Sequence, residues 1–196
     1  MPAALEPGSP NLLSFKELVF SDLERYRPGQ APSWKSVAMR CMGHPGMIAS
    51  LLLRAQQKLF FKGHVRPAYF LRVIGMFLFS ADFVPGMTIG KGFFLPHPNG
   101  TTIGNGIVIG DNVTFGAHVS TGVGNPDQPP DGYPYIDDGA VVLSNAVLIG
   151  NIRIGKHSMV APQAVVIKDV PDNAVMVGVP ARQVSTRESN LPGHYE

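Results

Sequence analysis

Residues 136–167 read IDDGAVVLSNAVLIGNIRIGKHSMVAPQAVVI, and an aliphatic residue stands at every sixth position of this stretch. These aliphatic positions are Ile136, Val142, Leu148, Ile154, Val160 and Val166. Small or branched residues follow each of the first five by four positions, at Ala140, Ala146, Ile152, Ser158 and Ala164. A helix would repeat its apolar residues every three to four positions and a flat strand every two. A strict period of six indicates a hexapeptide repeat.

The same period appears earlier in the chain in a second phase. Ile103, Ile109, Phe115 and Thr121 are each followed by a glycine, and the phase breaks over residues 121–135. Each hexad can form a short strand and a turn, three hexads form a triangular coil, and stacked coils bury the aliphatic positions. The sequence therefore predicts a mainly β fold, a parallel β-helix, with a β-sandwich as the alternative.

The totals fit one repeat domain and a smaller segment. The chain has 196 residues, and its 22 glycines are largely periodic, which favours repeat corners over disorder. The single cysteine, Cys41, excludes an intramolecular disulfide and favours a reducing, cytoplasmic location. Met1 to Leu13 lacks the charged and apolar regions of a secretory signal, so none is expected.

The first 80 residues are predicted to be helical and basic. Helical spacing of apolar residues predicts helices over 14–26, 34–42, 47–61 and 66–80, with Ser14 and Glu17 forming a capping box. These 80 residues hold ten Lys and Arg against four acids, whereas the remainder holds six against ten. The excess suits solvated helix faces, an anionic membrane or a phosphate-bearing substrate.

Charged residues interrupt the most apolar part of this helical region, so no membrane span is expected. We expect the helices to pack on one another and on a neighbouring subunit, and peripheral membrane contact stays open. The predicted boundaries are a helical segment over 1–80, a β-helix over 81–184 with a protruding loop at 123–135, and a tail over 185–196. No nucleic-acid partner is expected.

Two further stretches carry a family resemblance. Residues 80–100 read SADFVPGMTIGKGFFLPHPNG and residues 169–182 read DVPDNAVMVGVPAR. With the two hexad blocks and the loop between them, they resemble hexapeptide-repeat acetyltransferases, in the branch of serine O-acetyltransferases and exopolysaccharide (colanic-acid-type) O-acetyltransferases. The resemblance implies a left-handed β-helix, a homotrimer or a higher assembly of trimers, acetyl-CoA as co-substrate, and a site between two subunits. It also implies direct acetyl transfer without a covalent acyl-enzyme.

The resemblance places a catalytic histidine at His97 and its orienting aspartate at Asp82. A hydroxyl is a poor nucleophile until a base removes its proton, and an imidazole, with an ordinary pKa near 6.5, can do this at cellular pH. A carboxylate on the other ring nitrogen would fix the tautomer and stabilise the imidazolium. His118 is either a second polar group of the cleft or an exposed coil residue.

Three residues depart from the serine acetyltransferase pattern. The family usually has Asp just before the catalytic histidine and an Arg-His pair before a proline of the loop, whereas this chain has Pro96, Gly132 and Tyr133. Serine would lose charged hydrogen bonds, each typically worth about 1.5–3 kcal/mol. We therefore expect the acceptor to be a hydroxyl of a sugar, a glycan precursor or another small metabolite. Serine O-acetylation and a non-catalytic scaffold are the alternatives, and Tyr133 either contacts the acceptor or packs on Pro134.

The resemblance also implies which residues contact CoA. Gly122, Ser144, Pro162 and Arg182 occupy the family's CoA-binding places. No metal is expected: the β-helical gamma-type carbonic anhydrases bind zinc through three histidines, but the spacing of His97, His118 and His157 does not resemble theirs.

Overall fold

The computed structural model describes residues 13–124 and 132–187 of the chain. Within them the helices are α1 (Phe15–Tyr26), α2 (Trp34–Gly43), α3 (Pro45–Phe61) and α4 (Val65–Phe79). All four predicted helices are present. The predicted capping box is confirmed, because the Ser14 hydroxyl accepts from the Glu17 N–H at 3.2 Å and the Glu17 carboxylate accepts from the Ser14 N–H at 2.7 Å.

Short strands follow the helices, most of them two residues long. They are β1 (Asp82–Phe83), β2 (Thr88–Ile89), β3 (Thr102–Ile103), β4 (Val108–Ile109), β5 (Thr114–Phe115), β6 (Ser120–Gly122), β7 (Tyr135–Ile136), β8 (Val141–Val142), β9 (Val147–Ile149), β10 (Arg153–Ile154), β11 (Met159–Val160), β12 (Val165–Val166), β13 (Ala174–Val177) and β14 (Arg182–Thr186).

The strands form three sheets, which are the faces of a triangular prism. Sheet 1 has the order β1-β3-β6-β9-β12, sheet 2 the order β2-β4-β7-β10, and sheet 3 the order β5-β8-β11-β13-β14. The pairs from β1 to β13 are parallel, and each coil contributes its strands to the three sheets in turn. The predicted left-handed parallel β-helix with an N-terminal helical segment is confirmed.

Three rows of turns form the edges of this prism. Corner 1, between sheets 1 and 2, contains residues 84–87, 104–107, 123–124, 132–134 and 150–152. Corner 2, between sheets 2 and 3, contains residues 90–93, 110–113, 137–140 and 155–158. Corner 3, where one coil passes to the next, contains residues 95–101, 116–119, 143–146 and 161–164. Both described ends of the predicted loop thus lie at corner 1, and residues 125–131, with Asp127 and Asp131, lie outside the described residues.

The period of six is explained by the core. All six aliphatic positions from Ile136 to Val166 are at most 1% exposed, as are Ile103, Ile109 and Phe115. They stack along the prism axis with the small residues between them. Burying each such side chain contributes about 1.5–3 kcal/mol, so the coils stabilise one another.

The C-terminal end differs in detail from the sequence prediction. The last predicted strand, 174–179, ends at Val177, and β14 then pairs antiparallel with β13. Ser185 and Thr186 belong to β14, so the predicted tail begins inside a strand. The hexad pattern predicts only short parallel strands, so it does not predict β14, an antiparallel strand of five residues that are all exposed. The loose segment expected over Met1–Pro10 lies outside the described residues.

The helical segment docks on the first coil through a buried ion pair. Arg54 of α3 donates to both carboxylate oxygens of Asp22 of α1, at 2.8 and 2.7 Å, and both side chains are fully buried. Arg54 also donates to the carbonyls of Ile89 and Gly90, at 2.7 and 2.6 Å, and Asp22 accepts from the Phe93 N–H at 2.9 Å. Burial raises the pKa of Asp22, and Arg54 opposes that rise. Among the described residues, no helix is long and apolar enough to cross a membrane.

Candidate active site

His97 lies at corner 3, on the connection between the first two coils. Its side chain is exposed and makes no hydrogen bond with the described residues. The backbone around it is fixed, because the Thr101 N–H donates to the Pro98 carbonyl at 3.2 Å and the Gly100 N–H donates to the Phe79 carbonyl at 3.2 Å. The imidazole is therefore accessible to a ligand, and the main chain that carries it is held in place.

The helical segment holds the backbone that leads into His97. The Tyr26 hydroxyl donates to the Leu95 carbonyl at 3.2 Å. Gly46 approaches the same place so closely that a Cβ there would overlap the Leu95 carbonyl and lie 2.9 Å from the Pro96 carbonyl oxygen. Since real Cβ atoms essentially never come that close, this junction requires glycine. Helices α1 and α3 thus set the position of the candidate catalytic segment.

Asp82 begins β1 and faces away from the core, next to the same segment. Its N–H donates to the Thr101 carbonyl at 2.9 Å. Its carboxylate accepts from Arg72 of α4 at 2.5 and 2.7 Å, a bidentate contact that raises the pKa of Arg72. No hydrogen bond joins Asp82 to His97 within the described residues. A carboxylate has about four acceptor sites, so a site remains for an imidazole and the predicted His97–Asp82 pair stays a prediction.

Corner 3 also carries two of the four predicted cofactor-binding residues, Ser144 and Pro162. Main-chain hydrogen bonds climb it from coil to coil: His118 N–H to Asn99 carbonyl at 2.9 Å, Asn145 to Ala117 at 2.9 Å, and Gln163 to Ser144 at 3.0 Å. Ser144 and Pro162 therefore stand on the same edge as His97, on successive coils about 4.8 Å apart. The Ser144 hydroxyl accepts from the Ala117 N–H at 3.2 Å, so it also supports the turn.

The other predicted site residues occupy different places. The exposed His118 has a positive φ of 57° and sets its ring against Gly100, which brings it beside the His97 segment. Arg182 opens the exposed strand β14, and its guanidinium donates to the Ala181 carbonyl at 2.9 Å. Gly122 ends β6 at corner 1, and nothing lies within 4 Å of a Cβ placed there. Gly122 is thus on a different edge from Ser144 and Pro162.

The loop returns to the prism at Gly132 and Tyr133. A Cβ on Gly132 would lie 2.7 Å from the Val123 side chain, so the two ends of the loop touch at its base. The half-buried Tyr133 ring lies against Gly104 and packs on the core cluster, in the space a Cβ at position 104 would occupy. Of the two roles expected for Tyr133, contact with the acceptor or packing, this position favours packing, and the ring packs on the neighbouring coil.

His157 lies at corner 2, against Gly139, while His97 and His118 lie at corner 3. Within 13–124 and 132–187, no group of three potential metal-ligating side chains converges.

Sequence reasoning missed the residues that the helical segment contributes. Tyr26 and Gly46 contact residues 95–96, and Arg72 pairs with Asp82. Arg40 and His44 contact each other, and Arg40 contacts Tyr26. All of them lie far from His97 in sequence. The only signal was the basic excess of the first 80 residues, which located no individual side chain.

Comparison with known proteins identifies the family. No family model matches the chain. It is 31% identical over 155 residues to the serine acetyltransferase of Bacillus subtilis, covering 79% of this chain and 71% of the relative. It is 34% identical over 161 residues to serine acetyltransferase 4 of Arabidopsis thaliana, covering 82% of this chain but 45% of the relative.

Solved structures agree with this result. Soybean serine acetyltransferase complexed with serine superposes with a TM-score of 0.77 at 30% identity, over 91% of this chain and 70% of that one. The chain spans about half the length of several curated relatives it matches. On its sequence and on its β-helix with docked helices, the chain belongs to the serine acetyltransferase family of hexapeptide-repeat acetyltransferases.

Proposed function

We propose that the protein is an acetyl-CoA-dependent O-acetyltransferase in which His97 is the general base. The observation that carries this proposal is the placement of His97, an exposed imidazole on a fixed backbone at corner 3. Ser144 and Pro162, two of the residues expected to contact CoA, stand on the same edge. Family membership supports acetyl-CoA as the donor.

The chemistry needs one base and no covalent enzyme intermediate. His97 takes the proton of the acceptor hydroxyl as its oxygen attacks the thioester carbonyl. The tetrahedral oxyanion then collapses, the C–S bond breaks, and the thiolate of CoA takes up the proton from the imidazolium. Asp82, held by Arg72, would orient the His97 ring and stabilise its charged form.

A complete site would combine two copies of the chain. His97 lies at corner 3 and the loop leaves at corner 1, so they lie on different edges of the same prism. If both contact one acceptor, the loop must come from a neighbouring copy, as the proposed homotrimer would allow. Helix α4 also exposes an apolar stripe, with Phe70 66% exposed and Phe77 86% exposed, that a second copy can cover.

This assembly has a direct test. A mass of three chains in solution is the expected result, and a monomer with full activity would contradict the shared site. The stripe on α4 could instead remain exposed in the assembled protein and bind anionic vesicles. In that case its role is peripheral membrane contact and not subunit packing. Consumption of acetyl-CoA and the single cysteine, Cys41, support a cytoplasmic location.

L-serine is the first acceptor to test. The relatives that define the family are serine acetyltransferases, and this favours serine over the sugar acceptor expected from the sequence. The second candidate is a hydroxyl of a sugar, glycan precursor or other small metabolite. One observation favours it: Pro96, Gly132 and Tyr133 stand where the family keeps charged serine-binding groups.

Thiol release from acetyl-CoA tests the proposal, with L-serine in one series and sugars and nucleotide sugars in others. Wild-type protein should release thiol with one of these acceptors, and His97→Ala should lower kcat by about 10²–10⁴-fold while assembly stays intact. The matched control is His157→Ala, an exposed histidine at corner 2, which should keep wild-type activity. Equal activity of His97→Ala and wild type would exclude His97 as the base. An intact assembly that is silent with every acceptor would favour the scaffold.

A further inference from the structure

A pair of basic side chains, Arg40 and His44, lies against Tyr26, which in turn contacts the candidate catalytic segment. Arg40 of α2 donates one N–H to His44 Nε2 and another to the Tyr26 carbonyl at 2.9 Å, and its guanidinium lies 5.7 Å from the centre of the Tyr26 ring. The Tyr26 hydroxyl contacts the Leu95 carbonyl, and Gly46, two residues after His44, touches the Leu95 and Pro96 carbonyls. Arg40 and His44 are thus linked through Tyr26 and Gly46 to the chain immediately before His97.

This pair has no acidic partner among the residues that the structure describes. The ion pairs found in residues 13–124 and 132–187 involve other cations, and Arg40 and His44 contact each other instead. His44 is exposed and Arg40 is half-buried, so both can be reached from solvent. Arg40 has five N–H donors, of which two are used here, so three remain for a ligand.

Neighbouring charges fit an anion better than a cation. Burial and then the charge of Arg40 lower the pKa of His44, as expected where positive charge is not neutralised. The position before His97, where the family usually keeps an aspartate, is Pro96. The loop positions that usually hold an Arg-His pair are Gly132 and Tyr133. Relative to the family pattern, the chain therefore lacks a negative group at position 96. Arg40 and His44 supply positive groups on the helical segment that contacts this part of the chain.

We propose that Arg40 and His44 form the subsite for an anionic group of the acceptor, a carboxylate or a phosphate. This inference rests on the proposed acetyl transfer and narrows its acceptor to a hydroxyl compound that carries such an anion. A guanidinium binds either group through two parallel N–H···O bonds, and His44 holds one edge of it in place. If serine is the acceptor, this pair replaces the missing loop residues as the partner of its carboxylate.

Steady-state kinetics on the full chain test the subsite. Acceptors are paired by the presence of an anionic group: L-serine with L-serinamide, and a sugar phosphate with its parent sugar. For the acceptor that carries the anionic group, Arg40→Met should raise KM about 10- to 100-fold, while kcat and the KM for acetyl-CoA stay within about twofold. The partner that lacks the anionic group should show no such rise. Arg40→Lys should recover part of the loss, since it keeps the charge but not the paired donors.

The matched control is Lys35→Met on the same helix, an exposed lysine away from Tyr26 and His44, which should behave as wild type. A KM that rises equally for acceptors with and without the anionic group would show that Arg40 only supports the fold. Wild-type preference for the acceptor without the anionic group would also overturn the subsite. A rise with the sugar phosphate alone would identify phosphate as the anion, and a rise with serine alone would identify the carboxylate.

Equilibrium binding separates this inference from the proposed function. Calorimetry with L-serine and with inorganic phosphate needs no turnover. Wild-type binding of either anion that is lost in Arg40→Met supports the subsite even if no thiol is released, in which case only the proposed reaction fails. Equal binding by wild type and Arg40→Met, or none by wild type, contradicts the subsite whatever the activity.

Discussion

The β-helix and the helical segment are held together by different interactions. In the β-helix each coil repeats the same buried aliphatic positions, so coils add stability in similar increments. The helical segment instead attaches through single, non-repeated contacts, of which the fully buried ion pair of Asp22 and Arg54, whose donors also satisfy carbonyls of the first coil, is the most enclosed. Ala49, Leu53 and Phe79 of the helices add apolar contacts to the core cluster of the β-helix. The ion-pair network is stable when complete, and it leaves buried charge without a partner when one member is removed.

The candidate base lies where these two regions meet. Corner 3 of the β-helix supplies the turn that carries His97, and α1 and α3 supply Tyr26 and Gly46, which hold its approach. The stacked coils give a rigid frame, and the helices give this one irregular connection its shape. A functional residue is thus positioned by contacts that the repeat does not encode.

The largest stability effect is expected from Arg54→Met. Removing the guanidinium leaves the Asp22 carboxylate buried without its main partner, which typically costs 3–5 kcal/mol. The carbonyls of Ile89 and Gly90 also lose donors. Urea unfolding followed by circular dichroism should show this loss, with the helical signal melting before the β-helix if the helices detach as a unit.

Lys156→Met is the control, because it removes the cation of an exposed ion pair of the β-helix. Lys156 lies 3.8 Å from Asp138, both side chains are 52% exposed, and such pairs contribute about 0–1 kcal/mol. A similar loss for both variants would show that burial does not distinguish the two regions. No loss for Arg54→Met would mean that the helices dock mainly through apolar contacts.

A smaller loss is expected from Leu148→Ala, which opens a cavity in the middle of the stack. Leu148 is fully buried, and Leu to Ala changes at such sites cost about 2–5 kcal/mol, depending on how far the site collapses. Neighbouring coils can close around one gap, so we expect a value near the lower end. Ile167→Ala, at a position 49% exposed, should cost much less by the same urea midpoint measurement. Equal losses would indicate that Ile167 is covered in the assembly.

The comparison explains what the sequence could predict. The period of six identified the β-helix and its core positions from Ile136 to Val166, because each coil contacts only its neighbours and the pattern is local. The capping box and the four helices were also readable from local signals. The docking of Arg54 was not, since its partners Asp22, Ile89 and Gly90 lie 32 to 36 residues away.

The residues of the candidate site also fall into those that local sequence motifs predict and those that only folding brings near. The resemblance proposed His97 from the family segment at residues 96–100 and Ser144 and Pro162 from their places in the repeat, because each belongs to a local sequence motif. The partner of Asp82 was missed: the carboxylate pairs with Arg72 of α4. Arg40 and His44 were missed for the same reason, since only folding brings α1 and α3 against residues 95–96 and Arg40 of α2 against Tyr26.

The smallest stability effect is expected from the capping box of α1, which is a local interaction, unlike the long-range contacts of the helices with the β-helix. Ser14→Ala removes the hydroxyl that caps α1, at a typical cost of about 1 kcal/mol. Hydrogen bonds from Ser14 lower the pKa of Glu17, so the contribution of this charge is present above its ordinary value near 4.5 and is lost as pH falls below it. The difference in unfolding free energy between wild type and Ser14→Ala should therefore be larger at pH 7 than at pH 3.

Ser33→Ala removes the matching cap of α2, whose first turn has no acid, so its cost should be similar at both pH values. A pH-dependent cost for Ser33→Ala as well would assign the effect to the whole basic segment, whereas a pH-independent cost for Ser14→Ala would remove Glu17 from the stability of α1.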